Sequence, residues 1–521
     1  MFTIAILIGA YSYLIFALGL LGFFYKSVLV IFSLFFLFIV FLFRRKLSID
    51  SNIKEKITVF LKQRTRFEKF LMLLLCVQAL VNLIGALGPE LGFDALWYHL
   101  TLPKIYLIQH RIVHIPGSLL YYSDMPKLTE MLYVAGLALG SEIFAKLIHF
   151  SFGILTLFAL YKVSRKFLSP FFSLLVLVVF YSNLVVGWMS TTSYVDLART
   201  FFEIMALWGF LNWFETKEKK WLIESSVMLG LAVSIKLLAI GSIIIFSFLI
   251  IFYSRHKFKD LLVYLSICLL ISFPWYIFSL VHTGNPIYPF FSAVYRVHLS
   301  INLFNPFIHK SDSISVAYLL SLFAVFIHRK SDVKFKFLFF YSFLGLIIWF
   351  LTPKSDSGRF LLPYLPVMSI LTVNVVKLSL DLRKNLRPIF FGLIIFFSIF
   401  SIGYRFAANV KYLPVIFGLE SKNQFLTSNL NFSFGDFYDT DNYFKKNIKK
   451  GDKVLLYGFH NLYYINFPFV DSSYVKKGDM FNYIAIQQGG LPKRFKFWNI
   501  VYQNSKTHVT LYSAGRQKWV Y

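Results

Sequence analysis

The stretch Gly92–Glu130, which reads GFDALWYHLTLPKIYLIQHRIVHIPGSLLYYSDMPKLTE, decides the fold because it interrupts a series of strongly apolar runs. It concentrates side chains suited to acid–base, phosphate or metal chemistry: Asp94, His99, Lys104, His110, Arg111, His114, Asp124, Lys127 and Glu130. The runs on either side are apolar enough to predict membrane spans. The pattern therefore indicates a reactive loop that the rest of the chain holds at one face of a bilayer.

The composition of the 521 residues is that of a membrane protein. Hydrophobic residues make up 57% and charged residues 15%, whereas soluble domains average about 25% charged residues. The formal net charge of +28 would suggest a nucleic-acid partner in a soluble protein. Cytoplasmic loops of membrane proteins collect Lys and Arg in any case, so no nucleic-acid partner is expected. Cys76 and Cys268 lie in apolar runs and indicate no disulfide framework.

A helix needs about 20 mostly apolar residues to cross a bilayer. This rule predicts about thirteen spans, at residues 3–25, 27–43, 70–87, 142–163, 170–188, 195–214, 221–236, 238–253, 260–280, 314–328, 336–351, 360–377 and 388–408. The predicted fold class is a polytopic α-helical membrane protein with a small α/β domain at its C-terminal end.

The charges of the connecting loops predict the orientation, because Lys and Arg mark the cytoplasmic side. Alternate loops are basic, as at Arg44–Lys46, Lys162–Lys166, Lys217–Lys220, Arg255–Lys259, His328–Lys330 and Arg383–Arg387. The intervening loops include the reactive stretch, which we place in an external loop at about residues 88–141. Polar residues unusual for a membrane protein also fall on that external side: Asp94, Asp124, Asp196, Lys236, Asn285, Tyr288 and Arg359.

The chain divides into two predicted domains. Residues 1–410 would form the transmembrane catalytic domain, and the polar residues 411–521 a soluble domain on the non-cytoplasmic side. Strand-like segments at Lys453–Tyr457, Tyr483–Ile486 and Val509–Tyr512 predict a small α/β core. The tail has no glycine-rich phosphate loop, so its function cannot be inferred from its motifs.

Asp94 allows two interpretations. In a helix it shares a face with Tyr98, and a partly desolvated carboxylate among aromatic rings suits a general base. The alternative is that Asp94 only caps the helical segment that it begins.

The histidines of the loop also allow two interpretations. His99, His110 and His114, with Asp124 and Glu130, offer ligands for a divalent metal, and His110 and His114 lie one helical turn apart. The spacing matches no closed metal motif, and loop histidines are often only polar interfacial residues.

Five charged residues lie close to or within later spans. Asp196, Arg199 and Glu203 share a helix face and form either a mutually neutralised triad or part of a functional site, since charged groups inside spans usually mark function. Lys236 and Arg359 are cations whose burial is costly unless an anion neutralises them. A lipid phosphate would serve, and snorkelling to ordinary head groups is the alternative.

The motifs occur in the order GFDALWYH (92–99), YSDMPKL (122–128), SYVDL (193–197), SIK (234–236), NPIYP (285–289) and RFLLP (359–363). This order resembles that of the GT-C integral membrane glycosyltransferases, the group that includes aminoarabinose transferase and protein O-mannosyltransferases. The resemblance covers about residues 60–410, with two further spans ahead and a soluble tail behind.

The resemblance implies a polyprenyl-phosphate-linked sugar as donor, chemistry on the external face of the bacterial cytoplasmic membrane, and Asp94 as the catalytic base. Two departures concern a metal. The family usually has two acids in a row in the first loop, Asp followed by Asp or Glu, whereas this chain has Asp94-Ala95. The Glu-Lys-Pro-Pro segment of aminoarabinose transferases is matched only in part by Asp124-Met-Pro126-Lys127.

Our hypothesis is an inverting glycosyltransferase that moves a hexose or pentose to a cell-envelope glycan, lipid or protein. Its candidate residues are Asp94 as base; Lys236, Arg359 and Lys127 for the donor phosphate; Asp196, His99, Tyr98, Asn285 and Tyr288 to order the site; and Asp124, His110 and His114 for a metal. The sequence assigns no definite cofactor, and a divalent metal is the candidate. The rival is a transporter or flippase for lipid-linked or polyol substrates, whose sites would lie near the bilayer midplane.

The alternation of basic loops predicts that a reporter fused after Tyr521 is external and that one fused after Lys166 is cytoplasmic. Alkaline phosphatase and green fluorescent protein fusions measure the two sides independently. A cytoplasmic reporter at Tyr521 would contradict the orientation and, with it, the external placement of the reactive loop.

Overall fold

The computed structural model describes residues 1–43, 62–293, 313–323, 333–352, 357–382, 385, 387–515 and 518–521. The predicted basic loops at Arg44–Lys46 and His328–Lys330 lie outside these residues, as do Arg383 and Lys384. Helices dominate as far as Asn409, and all the strands follow it. The fold is thus a polytopic helical membrane protein with a small C-terminal α/β domain, as the sequence predicts.

Within the described ranges, six helices are long and apolar enough to cross a membrane. They are Phe2–Leu20, Lys26–Phe43, Arg66–Leu87, Glu142–Ser164, Lys257–Thr283 and a helical stretch from Arg387 to Ile416. Shorter apolar helices cover Leu128–Leu139, Pro170–Tyr181, Leu237–Tyr253 and Phe335–Leu351. The remaining long helices of this region are Asp196–Thr216, Lys219–Val233 and Leu365–Leu382. The total of thirteen spans therefore stays a prediction.

Two elements differ from the predicted spans. The segment 170–188 is not one helix, because Pro170–Tyr181 ends and Asn183 caps a separate short helix, Leu184–Met189, through its side chain. Inside the predicted external loop, residues Leu128–Leu139 form an apolar helix. This helix is not among the thirteen predicted spans. Its twelve residues are too few for the 20-residue rule, so a length criterion alone misses it.

The helix Asp196–Thr216 lies at the centre of the bundle, where nearly all its residues are buried. It packs against Lys219–Val233 and Glu142–Ser164. Arg199 Nε lies 2.6 Å from Glu203 Oε1, and Ser242 donates a hydrogen bond to the other Glu203 oxygen at 2.6 Å. Arg199 and Glu203 therefore neutralise each other inside the bundle, while Asp196 at the start of the helix does not join them.

The C-terminal domain is built on a five-stranded sheet with strand order β2-β1-β4-β6-β5. The five strands are β1 (Val454–Tyr457), β2 (Phe469–Asp471), β4 (Tyr483–Ile486), β5 (Asn499–Asn504) and β6 (Val509–Ser513). Strand β1 pairs in parallel with β2 and β4, whereas β4–β6 and β6–β5 are antiparallel. A second, two-stranded sheet pairs β3 (Met480–Phe481) with β7 (Trp519–Val520). The three strand predictions in this domain are confirmed.

The segment that follows β1 joins this domain to the reactive loop. The Tyr463 N–H donates to the Leu96 carbonyl at 3.2 Å, and Tyr464 donates its hydroxyl proton to the Glu90 carbonyl at 2.9 Å. Lys104 donates to the carbonyls of Tyr463 and Ile465, both at 2.6 Å. The C-terminal domain is therefore fixed against the loop that carries Asp94.

Candidate active site

A buried acid positions the start of the reactive loop. The helix Arg66–Leu87 ends at Gly88, and Glu90 follows with only 1% of its surface exposed. Glu90 Oε1 accepts hydrogen bonds from the N–H groups of Leu91 and Gly92, and its Oε2 accepts one from the Ser193 N–H at 2.6 Å. Because all these donors are backbone groups, Glu90 acts as a clamp between the loop and the start of the central helix.

Asp94 lies at the first turn after this clamp and contacts a cation. Its Oδ2 is 2.7 Å from Arg359 Nη1 and accepts a second hydrogen bond from the Tyr98 hydroxyl at 3.3 Å. The Asp94 N–H donates to the Tyr194 hydroxyl at 3.1 Å. Asp94 precedes the helical turn Ala95–His99 but makes no side-chain capping bond to it, so the capping interpretation is wrong.

The Asp94–Arg359 pair is not sealed from solvent. The Asp94 side chain is 17% exposed and that of Arg359 15%. Burial raises the pKa of Asp94, but the positive charge of Arg359, aided by His99 and Lys236, outweighs burial and holds the pKa below its ordinary value of 3.8. Asp94 is therefore an ionised carboxylate in an accessible position.

A second ion pair lies beside the first. Lys236 Nζ is 2.7 Å from Asp196 Oδ1, with Lys236 13% exposed and Asp196 2%. Lys236 occupies the break between the helix Lys219–Val233 and the helical turn Leu237–Ala239. The Phe360 ring packs under both cations, with its centroid 5.2 Å from Lys236 Nζ and 5.1 Å from Arg359 Cζ. The two cations thus share one aromatic wall.

A histidine–carboxylate pair supports the same site from inside. His99 Nδ1 lies 2.7 Å from Glu130 Oε1, and both side chains are 3% exposed. Tyr98 stacks on Tyr122 with ring centroids 3.6 Å apart. His99 Nε2 and Glu130 Oε2 are buried without a hydrogen-bond partner in the part of the chain that the structure describes. The structure therefore brings Asp94, Tyr98, His99, Asp196, Lys236 and Arg359 together.

Other candidates lie apart from this cluster. Lys127 is 2% exposed and donates to the carbonyls of Tyr122, Ser123 and Met125 at 3.3, 2.6 and 2.5 Å. Asn285 bonds within its own turn, to the Phe290 carbonyl and the Ile287 N–H. For Tyr288, partial burial raises the pKa and the charge of Asp124 raises it further.

The three candidate metal ligands do not converge. His114 Nδ1 lies 2.9 Å from each Asp124 oxygen, whereas the His110 ring stacks on Tyr25 with centroids 4.0 Å apart. Across the described ranges, no three His, Cys, Asp or Glu side chains are grouped to hold a metal ion. The residues present do not fit the metal site considered from the sequence, so no chemical step is derived through a metal.

Sequence reasoning missed three residues of the site: Glu90, Tyr194 and Phe360. Glu90 had a signal, because an acid between an apolar span and the reactive loop is costly unless it is paired. Tyr194 and Phe360 lie inside the motifs SYVDL and RFLLP, but nothing in those motifs indicates what their rings contact. Their roles depend on contacts between segments far apart in the chain.

The Asp94–Arg359 pair predicts a specific pH dependence of stability. Because the folded pKa of Asp94 is lowered, the pair's contribution is complete above the unfolded value and is lost as pH falls through the folded one. The difference in melting temperature between wild type and Asp94→Asn should stay constant from about pH 8 to about pH 5 and shrink below about pH 4. Differential scanning fluorimetry in detergent measures it. A difference that already declines between about pH 7 and 6 would show that the pKa of Asp94 is raised.

Comparisons with known proteins bear on the fold that carries this site. A family described as a domain of unknown function (DUF8201) matches residues 135–297, and no curated protein sequence matches the chain. The structure is similar to the crystal structure of ArnT from Cupriavidus metallidurans bound to undecaprenyl phosphate, with a TM-score of 0.60 and 11% identity over 85% of this chain and 98% of that one. The apo state of ArnT gives a TM-score of 0.58 and 10% identity over 86% and 98% of the two chains. The chain therefore has the fold of ArnT over most of its length, in agreement with the fold that the motif order implies.

Proposed function

We propose that the chain is a glycosyltransferase that moves a sugar from a polyprenyl-phosphate donor to a hydroxyl group of a cell-envelope acceptor. The observation that carries the proposal is a partly exposed carboxylate, Asp94, that pairs with the cation Arg359, while a second cation, Lys236, shares the Phe360 ring with Arg359. Sugar transfer from a lipid phosphate requires a base for the acceptor hydroxyl and cations for the leaving phosphate. Asp94 supplies the first, and Arg359 and Lys236 supply the second.

The reaction is a single displacement. Asp94 accepts the proton of the acceptor hydroxyl while that oxygen forms a bond to the anomeric carbon. The bond between the anomeric carbon and the phosphate oxygen breaks, and its electron pair leaves with the polyprenyl phosphate. Attack from the face opposite the leaving group inverts the anomeric centre of the transferred hexose or pentose.

Arg359 and Lys236 hold the leaving phosphate, on which negative charge grows in the transition state. Cations fixed at that position lower the barrier directly. Arg359 suits two parallel contacts to phosphate oxygens and Lys236 a single point charge. The aromatic wall of Phe360 keeps both cations in place. Lys127, whose ammonium group already meets three carbonyl oxygens, has no part in this step.

Donor binding also prepares the base. Before it binds, Arg359 contacts Asp94 and keeps the pKa of that carboxylate low, which makes Asp94 a weak base. A phosphate that approaches Arg359 brings negative charge next to Asp94, and a like charge raises a carboxylate pKa. Asp94 therefore gains basicity when the donor is in place.

The proposed location is the bacterial cytoplasmic membrane, with the site and the C-terminal domain on the external side. The alternating basic loops and the ArnT fold support this placement. The cluster of Asp94, Lys236 and Arg359 lies where helices begin or break and not inside a continuous span, which favours an enzyme over a transporter with a midplane site.

Removing either cation should weaken donor use. Lys236→Met and Arg359→Met each remove a hydrogen bond to a charged phosphate, worth about 1.5–3 kcal/mol, so donor affinity or turnover should fall about ten- to a hundredfold. Binding of undecaprenyl phosphate to the purified protein, measured by native mass spectrometry, checks this. Lys411→Met, which removes an exposed lysine outside the cluster, is the matched control. Wild-type binding in both site variants would mean that the two cations do not bind the donor phosphate.

Removing the base should stop transfer without unfolding the protein. Asp94→Asn keeps the size of the side chain but cannot accept a proton, and loss of a general base typically costs about 10²- to 10⁴-fold. The variant should fold, still bind undecaprenyl phosphate, and transfer sugar at least about a hundredfold more slowly. Asp441→Asn, at an exposed aspartate of the C-terminal domain, is the control. Normal transfer by a folded Asp94→Asn protein would falsify the mechanism.

A further inference from the structure

Four rings form a continuous aromatic surface beside Asp94, which we call the aromatic platform: Phe93, Trp97, Phe434 and His460. His460 stacks on Phe93 with centroids 4.6 Å apart and lies 4.1 Å from the Trp97 ring. The Phe93 ring is 5.9 Å from both Trp97 and Phe434. Two rings belong to the reactive loop and two to the C-terminal domain, so neither part forms the platform alone.

The rings of the platform are exposed to solvent in full or in part. Phe434 is 68% exposed, while Phe432 and Phe437 on either side of it are buried. The remaining three rings are partly exposed. An exposed phenylalanine costs hydrophobic free energy, and an exposed aromatic cluster next to a polar site indicates a binding surface.

The C-terminal domain holds its two rings by a glycine contact. Gly435 follows Phe434 with φ +95°, and a Cβ there would lie 2.6 Å from the Cβ of His460. The Gly435 carbonyl accepts hydrogen bonds from the N–H groups of His460 and Asn461 at 3.2 and 3.0 Å. Asn461 also donates to Asp436 Oδ1 at 2.5 Å. Only glycine allows this approach and this φ, so Phe434 and His460 are presented together.

His460 adds a hydrogen-bonding group to the apolar surface. Its Nδ1 lies 3.2 Å from Asn461 Oδ1, and its Nε2 makes no hydrogen bond within the described part of the chain. Burial lowers the pKa of His460, against smaller opposing effects that include the charge of Asp94. The imidazole is therefore neutral near pH 7, and Nε2 is then free to accept a hydrogen bond from a hydroxyl group.

We propose that the aromatic platform is the acceptor site and that the acceptor it takes is a saccharide, an inference that rests on the glycosyltransferase function proposed above. A pyranose presents a face of C–H groups, which packs on aromatic rings, and a rim of hydroxyls. One of these hydroxyls reaches Asp94 while another bonds to His460 Nε2.

The test uses the full chain in lipid nanodiscs, applied to an array of bacterial envelope oligosaccharides and of peptides rich in Ser and Thr. We expect binding to oligosaccharides and measure the dissociation constant for the strongest. Phe434→Ala and His460→Ala should each weaken it about tenfold, the size of one lost ring contact. His460→Phe, which keeps a ring but lacks Nε2, should recover the part of the affinity that comes from ring stacking and not the part that comes from the hydrogen bond.

Phe497→Ala is the matched control, because Phe497 is a 94% exposed phenylalanine of the same domain outside the platform. It should bind oligosaccharide as the wild type does. In a transfer assay, His460→Ala should raise the KM for the acceptor more than it lowers kcat. Absence of saccharide binding by the wild type, binding to peptides alone, or full affinity in Phe434→Ala would each overturn the platform as a saccharide site.

The same samples separate this inference from the proposed function. Binding of undecaprenyl phosphate by the wild type tests the donor side. If the donor binds and no saccharide does, the platform proposal fails and the donor side of the function stands. If saccharides bind in a platform-dependent manner and undecaprenyl phosphate does not, the donor assignment fails and the platform stands as a saccharide site.

Discussion

The contact between Asp94 and Arg359 joins residues 265 positions apart in the chain, and the arrangement of the candidate site depends on it. An ion pair that has left bulk water is stable only when its geometry is good and its remaining hydrogen bonds are made. Tyr98 supplies one of these bonds and the ring of Tyr194 packs on the guanidinium group, 5.0 Å from Arg359 Cζ. The reactive loop and the helical turn Gly358–Leu361, which precedes the helix Leu365–Leu382, are therefore held in one relative position.

The second ion pair, Lys236 with Asp196, also joins segments that are far apart in the chain, and its side chains are less exposed than those of the first pair. Asp196 is nearly inaccessible, and its Oδ2 is buried without a partner among the described residues. It is placed to hold Lys236 and not to react itself. Glu90 and Glu130 act in a comparable way on backbone N–H groups and on His99. The site thus has one partly exposed carboxylate, Asp94, and several buried carboxylates that position its neighbours.

A feature of this fold can be predicted from the sequence when the residues that determine it lie close together in the chain. Long spans such as Glu142–Ser164 are predicted because a bilayer imposes a length and an apolar composition. Strands such as Tyr483–Ile486 follow from local alternation and flanking turns.

The break after Tyr181 and the short helix Leu128–Leu139 were missed, because the first depends on one Asn side chain and the second is shorter than any span criterion. Of the possible triad Asp196, Arg199 and Glu203, only the last two pair with each other, whereas Asp196 pairs with Lys236 in the break between two helices. Such pairings require knowledge of which helices are neighbours, and periodicity in spans that are apolar all round does not provide it.

The attachment of the C-terminal domain to the reactive loop has a consequence for the order of biogenesis. Lys104 bonds to a carbonyl 359 positions later in the chain, and His460 completes a surface that Phe93 and Trp97 begin. A chain made from its N-terminus inserts its helices long before these partners emerge from the ribosome. Every inserted but unfinished copy thus lacks the rings of Phe434 and His460 beside Asp94. The surface next to Asp94 is therefore completed only when the C-terminal domain has been made and has folded.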